Sequence, residues 1–127
     1  MLLAGPSGVG KSDLALRLIL DCGAKLVSDD QTTISLEGDT LVASSPETIA
    51  GLIEVRHVGL LKQPYCTAAP IGLYVELVES DKELERIPTG AGHLLLGRSV
   101  RKFVFCGRHA STPSKIRMAL LGSFQDE

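Results

Sequence analysis

Apolar positions along the chain recur with two different periods, and the switches between them predict an alternation of strands and helices. Residues 1–4 are apolar and close a first strand, after which Leu14, Ala15, Leu18, Ile19 and Cys22 recur at helical spacing until Gly23 supplies a stop. AKLVSDD, residues 24–30, reads as a short buried strand ending in two acids, the end of a strand where open α/β sheets carry functional groups. Residues 32–44 alternate around Glu37, Gly38 and Asp39, the pattern of a hairpin with a glycine-containing turn. Ser45 and Pro46 suit an N-cap and a first helical position, which predicts a short helix to about Leu52. Residues 52–61, LIEVRHVGLL, are mostly apolar with Glu54, Arg56 and His57 embedded, and charges inside such a run ask for a partner.

Further on, residues 70–80 predict another strand, 81–88 a polar turn or short helix, and 93–107 a pair of strands about Gly97 and Arg98. Thr112 and Pro113 open a last helix whose Ile116, Leu120 and Leu121 are expected to pack on the core. An antiparallel excursion so soon after the first strand–helix unit predicts an α/β fold with a mixed sheet and flanking helices.

The turn between the first strand and the first helix carries the most specific chemistry. Gly5, Pro6, Ser7, Gly8, Val9, Gly10, Lys11 and Ser12 fit GxxxxGK[ST]. In this pattern a glycine-rich turn aims backbone N–H groups at a phosphate, lysine adds a mobile cation, and the helix points its positive end at the same group. A plain glycine turn before an ordinary helix is the bland alternative, and the flanking strand and helix argue against it.

Composition narrows the partners. The chain has 127 residues, 44% of them hydrophobic and 22% charged, which suits one domain over residues 1–127 with a single core. The net charge of −2 comes with no basic stripe, so neither nucleic acid nor an acidic membrane surface is expected as a partner. No apolar run approaches a membrane span, and residence in the cytoplasm is the expectation. Cys22, Cys66 and Cys106 are odd in number and widely spaced, and read as reduced core thiols rather than a disulfide or zinc framework.

Asp29 and Asp30 follow the glycine-rich turn by one helix and a return strand, which puts them at a strand tip beside it. One carboxylate there can hold Mg²⁺ and the other can accept a proton from an attacking hydroxyl. Neighbours on an extended strand point to opposite sides, so a shared task requires the strand to have ended and turned. Glu54 and Arg56, two apart, would share a strand face, with Glu54 completing a Mg²⁺ shell with Ser12 and Arg56 neutralising charge on a transferred group. A solvated turn at Asp29 and Asp30 and a plain ion pair between Glu54 and Arg56 are the structural alternatives. Arg86 is by composition a surface charge. His57, His93 and His109 lack ligand spacing and are expected to be structural.

With these residues placed, the chain resembles the catalytic, C-terminal domain of the HPr kinase/phosphorylase family, bacterial enzymes that phosphorylate a serine of the phosphocarrier protein HPr. The resemblance rests on GPSGVGKSDLALRLI, KLVSDDQT and IAGLIEVRHVGLL, extended by LERIP and PSKIRMAL, and the compact form is similar to the family's short single-domain members. It implies a P-loop kinase fold of the HPr kinase/PEP carboxykinase-like type, ATP and Mg²⁺ as cofactors, an HPr-like phosphocarrier as partner, and a homo-oligomer, typically a hexamer. It further implies that Lys11 and Ser12 bind phosphate and Mg²⁺, that Glu54 and Asp29 attend the metal, that Asp30 accepts the serine proton, and that Arg86 is an active-site arginine. Residues 54–61 correspond to a segment implicated in both transfer directions, and His57 stands where the family carries glycine. The family's histidine-bearing strand upstream of the loop is not matched, so the kinase direction is expected to dominate over phosphorolysis. A small-molecule kinase and a non-catalytic nucleotide-binding regulator are the competing readings.

Overall fold

In the computed structural model the described residues are 1–29, 31–46, 49–88 and 90–122. The first unit is strand β1 (Leu2–Ala4), the glycine-rich turn, and helix α1 (Lys11–Cys22). Leu14 and Leu18 form the buried stripe of α1, and Gly23, at φ 69°, turns left-handed so that the Ala24 N–H bonds the Leu18 carbonyl at 3.0 Å. The expected hairpin follows as β2 (Thr33–Glu37) and β3 (Thr40–Ser44), and β6 (Ala68–Pro70) extends it to a three-stranded antiparallel sheet. Between them β4 (Leu52–Val55) and β5 (Gly59–Lys62) make a separate two-stranded hairpin.

The main sheet runs in the order β1-β7-β9-β8, with β7 (Tyr74–Val78), β8 (Gly92–Leu95) and β9 (Arg98–Cys106). β1, β7 and β9 are parallel, whereas β8 returns antiparallel on β9, so the sheet is mixed as expected. Val75 and Leu77 of β7 and Phe103 of β9 face Leu14 and Leu18 of α1 and Ile116 of α2 (Thr112–Leu121), and Val9 of the turn joins this core. The alternate residues of the strands point the other way, where Glu76 pairs with Lys102 at 3.4 Å and the Tyr74 ring stacks on His93 at 3.8 Å. No helix among the described residues is long and apolar enough to cross a membrane.

Several elements differ from the sequence expectation. The strand expected over 24–30 is a single parallel bridge between Leu26 and Tyr65, because the Ser28 hydroxyl donates to the Gln31 carbonyl and bends the chain. Of the helix expected from Ser45 to about Leu52, residues 47 and 48 lie outside the described residues; the Ile49 N–H bonds the Pro46 carbonyl at 3.1 Å, and Gly51, at φ 74°, swings the chain into β4. A side chain at Gly51 would strike the Tyr65 ring, with Cδ1 only 2.5 Å from the Cβ position. In α2 Ile116 is fully buried, but Leu120 and Leu121 are 51% and 73% exposed, since only the first turns of the helix lie over the sheet.

Candidate functional site

The turn over residues 5–12 is held in place from beneath and open above. Gly5, at φ 149°, lies so close to β7 that a Cβ would sit 2.9 Å from the Leu77 carbonyl and 2.9 Å from Val9 Cγ1. Val9 is the buried peg of the turn, at 2% exposure. Gly8 and Gly10, at φ 82° and 104°, have nothing within 4 Å of a Cβ position, so their backbone faces open space at the head of α1. That combination leaves N–H groups and the positive helix end free to meet an anion. Lys11 spans the turn and donates from Nζ to the Gly5 carbonyl at 2.5 Å, in the neighbourhood where a phosphate would replace that carbonyl as its partner.

Asp29 joins this turn to the next element. Its carboxylate accepts from Ser12 Oγ at 3.4 Å through one oxygen and from the Glu54 backbone N–H at 3.1 Å through the other. The bend that cut short the expected strand is what turns Asp29 toward Ser12. Ser12, Asp29 and Glu54, expected to attend one Mg²⁺, are thus linked through the Asp29 carboxylate and the Glu54 backbone, with Ser12 and Glu54 exposed and Asp29 half-buried. The Ser12 hydroxyl and the Asp29 carboxylate are hard oxygen donors, with the exposed Glu54 on the adjoining strand, a chemistry that fits Mg²⁺ holding part of its water shell. The long Ser12 to Asp29 contact is weak for an O–H···O bond and readily exchanged for a metal.

The remaining predicted residues are placed differently. Asp30 lies outside the described residues. Arg56 does not share a strand face with Glu54: β4 ends at Val55, and residues 56–58 form the hairpin turn closed by the Val58 N–H to Val55 carbonyl bond of 2.9 Å. Arg56 is exposed at that tip, and beside it His57 sits at φ 71° in the left-handed region. Arg86 lies with Lys102, Phe105 and Lys115 along a cleft of about 530 Å³ that includes none of residues 5–12.

One brace of the turn was hidden from the sequence. Gly107, just past β9, packs so close that its Cβ position is 3.1 Å from the Val9 carbonyl. Arg17, nearly two turns along α1, donates to the carbonyls of Gly107 and, at 3.2 Å, His109, and its Nε lies 3.3 Å from Asp13. The contact spans most of the chain, and nothing in the local pattern around Arg17 marks it.

An α/β domain with a mixed sheet, a glycine-rich turn between strand and helix, and an oxygen cluster beside that turn is the architecture of a P-loop phosphotransfer domain. Residues 1–101 match the family model described as the HPr Serine kinase C-terminal domain, and the chain belongs to that family. It is 33% identical over 112 residues to the HPr kinase/phosphorylase of Clostridium acetobutylicum, covering 80% of this chain and 36% of that protein. It is 48% identical over 62 residues to the HPr kinase/phosphorylase of Bacillus mycoides, covering 48% of this chain and 20% of that protein. The matched stretches thus span a fifth to about a third of these relatives. Among solved structures, the Hpr(Ser) kinase/phosphatase from Coxiella burnetii superposes with a TM-score of 0.81 at 26% identity, covering 94% of this chain and 83% of that one.

Proposed function

We propose that this chain is an ATP-dependent serine kinase acting on HPr or an HPr-like phosphocarrier. The observation that carries the proposal is the Asp29 carboxylate, which ties Ser12, beside the open glycine turn, to Glu54 on β4. In this reading the triphosphate lies on open N–H groups of the glycine-rich turn and the head of α1, and Lys11 leaves the Gly5 carbonyl to follow charge on the β- and γ-phosphates. Ser12, Asp29 and Glu54 would hold Mg²⁺, which neutralises phosphate charge when bound. Asp30, adjacent in sequence to Asp29, accepts the proton of the incoming serine hydroxyl as its oxygen bonds to the γ-phosphorus and ADP leaves. Arg56 and Arg86 are exposed cations available to the carrier or to the transferred group.

The family names extend the proposal. Phosphorolysis of the phosphoserine by inorganic phosphate would use the same cations in reverse, and a homo-oligomer, a hexamer by family resemblance, in the cytoplasm is the proposed setting. The test is transfer from MgATP to a purified phosphocarrier by Lys11→Ala. Transfer is expected to vanish in a variant that remains folded; ordinary activity there would sink the assignment of the turn as the donor site.

A further inference from the structure

Outside the phosphate site, a turn at the end of β9 brings together three groups that the sequence spacing had left apart. Cys106 and His109 occupy the first and last positions of a β-turn closed by the His109 N–H to Cys106 carbonyl bond of 3.3 Å. Three-residue separation across a turn is the geometry by which Cys-x-x-Cys and related knuckles direct two side chains at one point. Asp81, in the 3-10 turn Asp81–Glu83 that follows β7, completes the set: its Oδ1 lies 2.6 Å from His109 Nε2. Cys106 Sγ, one carboxylate oxygen of Asp81 and one ring nitrogen of His109 all lie within 4.8 Å of one another.

We propose that Cys106, His109 and Asp81 form a site for a divalent, thiophilic cation, Zn²⁺ by donor chemistry. A thiolate, an imidazole and a carboxylate together suit Zn²⁺ and are poorly matched to Mg²⁺. Tetrahedral Zn²⁺ with ligand bonds of about 2.0–2.3 Å sets its donors about 3.5 Å apart. The sulfur therefore has to close in by up to about 1 Å and the Asp81–His109 contact to open by about 1 Å. Three protein ligands leave a fourth position, and Asp81 is 70% exposed, so water can reach it.

The backbone that carries the site is already fixed. Thr112, 1% exposed, donates from Oγ1 to the Cys106 carbonyl at 2.6 Å, and its N–H bonds the His109 carbonyl at 3.1 Å. Arg17 holds the Gly107 and His109 carbonyls from the side of α1. The thiol is directed at the Glu79 carbonyl, 3.8 Å away, on the same segment that leads to Asp81. Such preorganisation removes much of the ordering cost of a metal site. The bound ion would staple residues 106–109, which brace the P-loop at Val9, to the loop after β7.

Zn²⁺ and Co²⁺ alone are the probes, added to the folded chain with excess Mg²⁺ present so that the all-oxygen cluster at Ser12, Asp29 and Glu54 is filled. The expected result is one Zn²⁺ per chain in chelator competition, a rise in Tm, and a thiolate-to-cobalt charge-transfer band with Co²⁺. Cys106→Ser should abolish the band, while Asp81→Asn and His109→Gln, at more exposed positions that need not disturb folding, should each weaken Zn²⁺ by about tenfold or more. Cys22→Ser and Cys66→Ser should leave band and affinity unchanged. The proposal is overturned by absence of the band in the unsubstituted chain, by its loss in Cys22→Ser or Cys66→Ser, or by wild-type affinity in both Asp81→Asn and His109→Gln.

Discussion

Asp29 does two jobs at once, and each has a separate cost on removal. One carboxylate oxygen receives the Ser12 hydroxyl and the other the Glu54 N–H, so the residue both positions β4 against α1 and presents charge beside the glycine-rich turn, the proposed phosphate site. On this account the neighbouring acids divide the chemistry. Asp30→Asn is expected to leave nucleotide affinity nearly intact and lower turnover by roughly 10² or more, because a lost general base acts in the transition state. Glu54→Gln is expected instead to raise the Mg²⁺ concentration needed for half-maximal rate. Titration calorimetry beside steady-state rates separates the two, and the reverse pattern would mean the carboxylate roles are exchanged. His57 poses a backbone question at the same scale. At φ 71° it occupies a conformation that glycine enters freely and β-branched residues resist. His57→Val is expected to lower unfolding free energy by about 1–2 kcal/mol, and His57→Gly to be neutral or stabilising by up to about 1 kcal/mol, in urea titrations. Equal stability of the two variants would contradict the strain argument.

Among the elements, the glycine-rich turn is braced from three directions: β7 beneath Gly5, the buried Val9 peg, and the loop of residues 107–109 clamped by Arg17. Removing the clamp should loosen the turn without touching its N–H groups. Arg17→Met is expected to cost about 1–3 kcal/mol of stability by leaving the Gly107 and His109 carbonyls without their charged donor, and to weaken nucleotide binding at the same time. A melting curve and a binding isotherm check both, and wild-type values in the two together would show that the clamp is idle. What could be read from sequence at this scale follows from the range of the determinants. The turn, α1 with its Gly23 stop, the hairpin about Gly38 and the pair of strands about Gly97 are specified by residues a few positions apart. The swing at Gly51 into β4 and the exposure of Leu120 depend on what lies across the chain, namely Tyr65 and the extent of the sheet under α2, whereas the bend at Val27 to Asp29 goes with the local Ser28 hydroxyl bond. The site divides in the same way: Lys11 and Ser12 were legible in one motif, the bond from the Glu54 N–H to Asp29 joins elements far apart in sequence, and Arg56 left the shared face because β4 ends one residue earlier.

At the scale of the whole molecule, the mixed sheet β1-β7-β9-β8 carries both helices on one face and leaves the head of α1, Ser12, Asp29 and Glu54 at the surface. An open phosphate face suits an acceptor that arrives on the surface of another folded protein, since a small acceptor would require walls to exclude water from the transfer. In that physical sense the proposed phosphocarrier acceptor would suit this surface. The most direct test of the account is to incubate the purified chain with ATP labelled in the γ-phosphoryl group, Mg²⁺ and an HPr-like carrier, and to map the label by mass spectrometry. The account predicts stoichiometric label on one serine of the carrier, dependent on Mg²⁺ and absent with Lys11→Ala. Normal ATP binding with no label on any carrier serine would contradict it.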